Sequence, residues 1–378
     1  MAWQEEADGV FRGGGVKGLA LAGALMGFAA HNEKPIKRWV NCAGASAGAI
    51  IAAYLTVHGD DAVNGLHELL YGTNFKQFED WVGGSEVLAI AAIMHTHGLC
   101  HGDEFERWFD GVVGGAKFGD VKTPDGQNSR LKVVAVDVTN RQLLILPDDL
   151  PRYRRPGETE TIDPDSFPIS KAVRMSMSIP YFFEPMELVR DYVRCTHRGG
   201  TQLWEGELVD RLDFDAANVD SPDDLAECEE IHEQIATIVD GGTLSNFPVW
   251  IFDSATEPKR LTFGFTLRGG KGIGGLGHFE HAPWLAKFAL DIFHSAQDAW
   301  DKRFVSQSTR VRTVTVNAGN IATTQFDLRK EQKDMLVANG KAAASWFLDH
   351  FDPTKASNTY GLAPEFVKEA APEAVGAS

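Results

Sequence analysis

Cysteine is scarce: Cys42, Cys100, Cys195 and Cys228 lie far apart in a chain of 378 residues, and no two form a CxxC pair. A disulfide framework is therefore excluded as the organising device, and a reducing compartment is expected. Basic residues are also short, 36 Lys plus Arg against 53 Asp plus Glu, for a net charge of −17. A surface of that sign repels phosphate backbones, so nucleic acid is not expected as a partner. No apolar run reaches the roughly 20 residues that a bilayer span needs; the longest gentle stretch is Leu19 to Ala30. The opening residues, Met1 to Asp8, are acidic and lack the basic and apolar regions of a secretory signal. These absences set the expected location as cytoplasmic, with any lipid contact peripheral at membranes.

What is present reads as an α/β protein. Gly9-Val10-Phe11 runs into Gly13-Gly14-Gly15 and then a helical pattern from Leu19. The same succession recurs at Trp39 to Ala43, Gly44 to Gly48 and Ala49 to Leu55. Two strand, tight loop and helix units within 55 residues predict parallel strands. Further strands are expected at Leu131–Val136, Ala236–Val239, Arg260–Leu267 and Val311–Val316, and helices at Asp103–Val113, Trp284–Phe304 and Lys330–Phe351. The fold class that follows is a three-layer α/β/α sandwich with a mostly parallel central sheet. A single domain is expected over 1–378, with its core at about 8–350 and a flexible tail at 363–378.

One stretch differs in composition. Between Leu203 and Glu233 there are 12 acidic residues and one basic residue, Arg211. The wider segment 186–234 is expected to be an acidic insertion, either a solvated loop or a lid.

Three motifs bear on chemistry. Gly44-Ala45-Ser46-Ala47-Gly48 fits GxSxG, placed after an apolar strand and before a helix. A serine on that turn is a candidate nucleophile facing the positive end of the helix; its other reading is a helix cap. Gly13-Gly14-Gly15-Val16-Lys17-Gly18 fits GxGxxG and admits three readings. It can be a dinucleotide fingerprint with Glu33 as ribose ligand, a nest of N–H groups forming an oxyanion hole, or a tight turn. Asp240 follows the apolar Ile235 to Val239 and precedes Gly241 and Gly242, which suits a base at the carboxyl end of a buried parallel strand or an Asp-Gly turn. His95, His97, Cys100 and His101 fall within seven residues. A zinc site is rejected there, because the spacing supplies no common ligand face and no second cluster follows.

Taken in order, GGGxKG, GxSxG and DGG resemble the patatin-like phospholipases. Gly98 to Trp108, Val133 to Thr139 and Arg174 to Pro185 look like that family's intervening segments, so the likeness spans roughly residues 8 to 350. The resemblance implies a lipid acyl hydrolase of phospholipase A or lysophospholipase type, acting on a lipid or lysolipid through a Ser-Asp dyad. Ser46 would be the nucleophile, Asp240 the base, and the N–H groups of Gly13, Gly14 and Gly15 the oxyanion hole. Lys17, Gly18, Gly44, Gly48, Gly241 and Gly242 would support them. It implies no metal and no organic cofactor. Lys17 is assigned to orienting the loop, with charge for an anionic headgroup or plain solvation as its other readings. Arg12 departs from the Asp of plant-type members and points to a bacterial-type subgroup. The 55 residues from Pro185 to Asp240 exceed the family's usual spacing, the excess being largely the acidic block. An acyltransferase and a non-catalytic binding protein of the same fold are the rival functions.

Overall fold

The computed structural model describes residues 3–60, 62–85, 88, 96–196, 208–213, 227–253, 260–269, 310–323 and 325–352. The strands are β1 (Glu6–Phe11), β2 (Arg38–Ala45), β3 (Gly98–Cys100), β4 (Leu131–Asp137), β5 (Gln142–Leu146), β6 (Tyr153–Arg154), β7 (Tyr181–Phe183), β8 (Met186–Thr196), β9 (Leu208–Asp210), β10 (Glu227–Asp240), β11 (Thr262–Arg268) and β12 (Thr313–Asn317). The α-helices are α1 (Gly18–Ala29), α2 (Ala47–His58), α3 (Ala62–Gly72), α4 (Asp103–Val112), α5 (Ile169–Ser176) and α6 (Lys330–His350).

One large sheet runs in the order β12-β11-β1-β2-β4-β10-β8-β6, with β5 added to β4 and β9 to β8. The neighbours from β12 to β4 pair in parallel, as the two strand and helix units predict. Beyond β4 every pairing is antiparallel, so the sheet is mixed. The parallel half is apolar along whole strands because both its faces are covered. Val10 and Ala43 pack with Phe247 and Val249 on one face, while Phe11 and Cys42 join the larger core on the other. There Phe11 stacks on Phe265, with ring centroids 5.2 Å apart, and Phe28 of α1 meets the same ring edge-on at 5.2 Å.

Helix α1 is buried over most of its circumference, which accounts for its almost unbroken apolar sequence. It crosses α6 at backbone contact. A β-carbon on Gly340 would lie 2.1 Å from the Ala20 carbonyl oxygen, and one on Gly23 would lie 2.5 Å from that of Val337. The predicted helix over 330–351 is therefore found, held by glycines on both sides.

The acidic insertion differs from expectation. Its described parts are strands: β8 and β10 pair antiparallel over eleven positions, and β9 flanks β8. Three carboxylates of the acidic block, Asp210, Asp213 and Glu233, are paired by arginines from outside it. Arg190 meets Asp210 at 2.5 Å with both side chains buried, Arg152 reaches Asp210 and Asp213, and Arg154 reaches Asp191 and Glu233. The predicted strand at Ala236–Val239 is the end of this long β10. The predicted helix at 284–304 and the tail at 363–378 lie outside the described residues.

Candidate active site

Sheet register brings the site together. Ala45, the last residue of β2, is paired with Val134 of β4. On the other side of β4, Asp240, the last residue of β10, is paired with Ala135. Since β10 runs antiparallel to β2, the two chains leave the sheet at adjacent rungs on either side of β4. Two strand spacings, about 10 Å, separate their backbones, and the Ser46 hydroxyl lies beside the Asp240 carboxylate. Asp240 was expected on a parallel strand; the antiparallel direction corrects that, and it is what lets a strand end meet a strand end.

Ser46 stands between β2 and α2 at φ 54 and ψ −129. That left-handed backbone costs a non-glycine residue about 1–3 kcal/mol and persists only where its surroundings enforce it. Here the enforcement is close packing. A β-carbon on Gly48 would sit 2.1 Å from the Phe11 carbonyl oxygen, so α2 begins directly against β1. The Ser46 N–H donates to Ser176 Oγ at 2.8 Å, and its Oγ–H donates to Met177 Sδ at 3.6 Å.

The Asp240 carboxylate is buried. Its Oδ1 accepts the Gly242 N–H at 2.6 Å, while Oδ2 has no hydrogen bond of regular geometry among the described residues. Burial pushes its pKa up to about 7, against the opposing pull of the adjacent Ser46 hydroxyl and the Gly242 N–H. The pair thus has a carboxylate oxygen open toward a serine whose hydroxyl is, in this rotamer, turned to sulfur.

The glycine loop lies against the same point. An added β-carbon on Gly13 would touch Ser46 Cβ at 3.0 Å and Asn246 Oδ1 at 2.2 Å. Its N–H, however, is donated to the Asn246 carbonyl at 3.0 Å. Gly13 is therefore removed from the three expected oxyanion donors. The N–H groups of Gly14 and Gly15 have no acceptor among the described residues. Gly15 takes φ 55, and a β-carbon there would fall 2.0 Å from the Thr323 carbonyl oxygen.

That packing also overturns the dinucleotide reading. Thr323 occupies the space over Gly15 and accepts the Val16 N–H at 3.1 Å. Glu33 is exposed beyond the far end of α1, before β2 begins, at the opposite edge of the sheet from the loop. Lys17 is buried, contrary to the solvated alternative, and burial followed by the nearby Arg12 charge lowers its pKa to about 8. Of the histidine and cysteine cluster, His95 lies outside the described residues, Cys100 is buried, and His101 Nδ1 is 2.7 Å from Glu184 Oε2.

Residues 174–178 were legible in the sequence only as part of a family segment. Ser176, Met177 and Ser178 each touch the candidate dyad: Ser176 and Met177 at Ser46, and Ser178 through its carbonyl, which accepts the Asp240 N–H at 2.9 Å. The signal available was a polar Ser-Met-Ser run closing an amphipathic helix just before Pro180.

A family model described as patatin-like phospholipase matches residues 9–253, which contain the glycine loop, Ser46 and Asp240. The chain belongs to the patatin-like phospholipase family. Membership sets the coarse class, a lipid hydrolase with a lipid substrate. The chain is 33% identical over 345 residues to the uncharacterized protein YqhO of Bacillus subtilis (strain 168), covering 90% of this chain and 97% of that one. Among solved structures it is similar to VipD from Legionella pneumophila, with 16% identity and a TM-score of 0.45 over 91% of this chain and 67% of that one. It is also similar to full-length ExoU in complex with SpcU from the type III secretion system of Pseudomonas aeruginosa, with 14% identity and a TM-score of 0.38 over 92% of this chain and 53% of that one. Among the described residues, no helix is long and apolar enough to cross a membrane.

Proposed function

We propose that this patatin-like protein is a serine esterase of phospholipase A or lysophospholipase type, working through an acyl-enzyme on Ser46. The observation that carries the reading is the meeting of a strained serine with a buried carboxylate whose Oδ2 is open, beside two uncommitted backbone donors.

In the first half-reaction Ser46 Oγ attacks the ester carbonyl carbon while Asp240 takes the hydroxyl proton. A turn of the Ser46 side chain from Met177 Sδ toward Asp240 Oδ2 prepares that transfer. Negative charge on the former carbonyl oxygen is met by the N–H groups of Gly14 and Gly15, a form of stabilisation worth about 2.7–4 kcal/mol per donor in other acyl-transfer sites. Collapse breaks the ester C–O bond, and the leaving alkoxide recovers the proton from Asp240 as an alcohol or lysolipid. In the second half Asp240 takes a proton from water, whose oxygen attacks the acyl carbon. The fatty acid leaves and Ser46 regains its hydrogen. A carboxylate is a weak base for a serine hydroxyl, and the raised affinity of Asp240 for protons narrows that gap.

No residue of this cycle calls for a metal or an organic cofactor. The protein is proposed to act from the cytoplasm on lipid at the membrane surface, with the matched arginines easing the charge of its acidic strands. Hydrolysis of a short-chain p-nitrophenyl ester and a fluorogenic phospholipid by wild type, Ser46→Ala and Asp240→Asn tests the reading. Loss in both variants, with fluorophosphonate attached to Ser46, is expected. A wild type that neither hydrolyses nor labels favours the non-catalytic alternative, and acyl transfer to an added alcohol in preference to water favours the transferase.

A further inference from the structure

Ser46 joins β2 to α2, and its N–H is bonded to neither element. That N–H is buried, and its acceptor is a side chain, Ser176 Oγ at 2.8 Å. Ser176 is fully buried at the end of α5, and it donates its own proton to the Val134 carbonyl at 2.6 Å. Both directions of this hydroxyl are therefore fixed, one on the nucleophile turn and one on the strand between the two halves of the dyad. Two residues on, the Ser178 carbonyl accepts the Asp240 N–H at 2.9 Å. The Ser178 hydroxyl accepts from Arg174 Nη1 at 2.6 Å and donates to the Arg174 carbonyl at 3.1 Å. Arg174, itself buried, also donates to the carbonyls of His101, Gly102 and Glu184.

We infer that Ser176 is a positioning residue that holds the Ser46 turn in register with Asp240, within a clamp that Arg174 and Ser178 anchor to the body of the fold. The inference rests on the Ser46–Asp240 reading. It assigns Ser176 no contact with substrate: its proton is committed to Val134, and its side chain is closed to solvent. The serine pair is thus divided, with Ser46 reacting and Ser176 setting where it reacts from.

The test uses the full chain with p-nitrophenyl butyrate and a fluorophosphonate. For Ser176→Ala, kcat is expected to fall about tenfold, the scale of one lost buried hydrogen bond in the transition state, with KM within about twofold of wild type. The rate of fluorophosphonate labelling at Ser46 should fall by the same factor. The acidic limb of the pH–rate profile should move to higher pH, because a displaced Ser46 hydroxyl no longer favours the Asp240 carboxylate. A general loss of packing would hydrate Asp240 and move that limb the opposite way, to lower pH. Wild-type kcat, labelling rate and limb in folded Ser176→Ala overturn the clamp while Ser46→Ala remains inert. If Ser176→Ala does not fold, Ser176→Cys, whose longer and weaker acceptor misplaces the turn, is expected to lose labelling rate in part; a folded Ser176→Cys that labels like wild type overturns the proposal. Full ester hydrolysis by Ser46→Ala overturns the dyad reading and this inference with it.

Discussion

The raised pKa of Asp240 makes a sharp prediction about pH. An ordinary aspartate titrates near 3.8, whereas burial lifts this one to about 7. In the proposed cycle only the carboxylate can take the Ser46 proton, so activity should rise with pH through that value. With an apparent pKa of about 7, the competent fraction is about one tenth at pH 6 and about one hundredth at pH 5. An exposed aspartate would keep the rate on its plateau down to about pH 5. The assay is kcat/KM for a soluble p-nitrophenyl ester between pH 5 and 9 at constant ionic strength. The same shift has a consequence for stability. Between the unfolded and folded pKa values the native state binds more protons than the unfolded state, so stability falls as pH rises through this window. At pH 8 the ionised Asp240 destabilises the fold by up to about 4 kcal/mol, the full shift at about 1.4 kcal/mol per unit. Asp240→Asn is therefore expected to be inactive and to melt higher than wild type at pH 8, with the difference shrinking toward pH 5. A flat rate between pH 5 and 8, or an Asp240→Asn protein that melts lower at pH 8, refutes the reasoning.

Gly15→Ala should lose esterase activity and fluorophosphonate labelling while retaining most secondary structure by circular dichroism, because a β-carbon at φ 55 would fall 2.0 Å from the Thr323 carbonyl and displace the donor loop. Gly340→Ala, at the α1–α6 crossing, should lower the melting temperature, with a cost of at least about 1–3 kcal/mol from overpacking against the Ala20 carbonyl; denaturant titration measures it. Asp210→Asn breaks a buried pair and leaves the Arg190 charge without its counter-ion, so about 3–5 kcal/mol of stability should be lost. Because β9 is far from Ser46 in the sheet order, kcat measured well below the new melting point should stay near wild type.

Much of the parallel half of the fold was legible because its strands are buried on both faces and write unbroken apolar runs. Val10, Phe11, Cys42 and Ala43 announce themselves in this way, and the glycines after each strand mark the turns. The antiparallel half was not. β10 carries Glu227, Glu229, Glu230 and Glu233, so its outer part reads as a solvated acidic loop. The arginines that pair with Asp210, Asp213 and Glu233, namely Arg152, Arg154 and Arg190, lie outside the acidic block, and only folding brings them to it.

The sequence by itself determined which residues are chemically able to act: a serine between small residues on a strand-to-helix turn, a glycine run with backbone donors, and an aspartate before two glycines. Local backbone geometry sets those choices, so they are visible in short motifs. Only the tertiary structure decided how they combine. Strand order and direction place Ser46 and Asp240 at adjacent rungs across β4, and burial rather than residue type sets the proton affinity of Asp240. The contact with Asn246 withdraws Gly13 from the donor set, while Ser176 and Arg174 gain their places through hydrogen bonds to residues 130 and 73 positions away in the chain. Such distances leave no local pattern, because the interaction exists only once separate segments share one edge of the sheet.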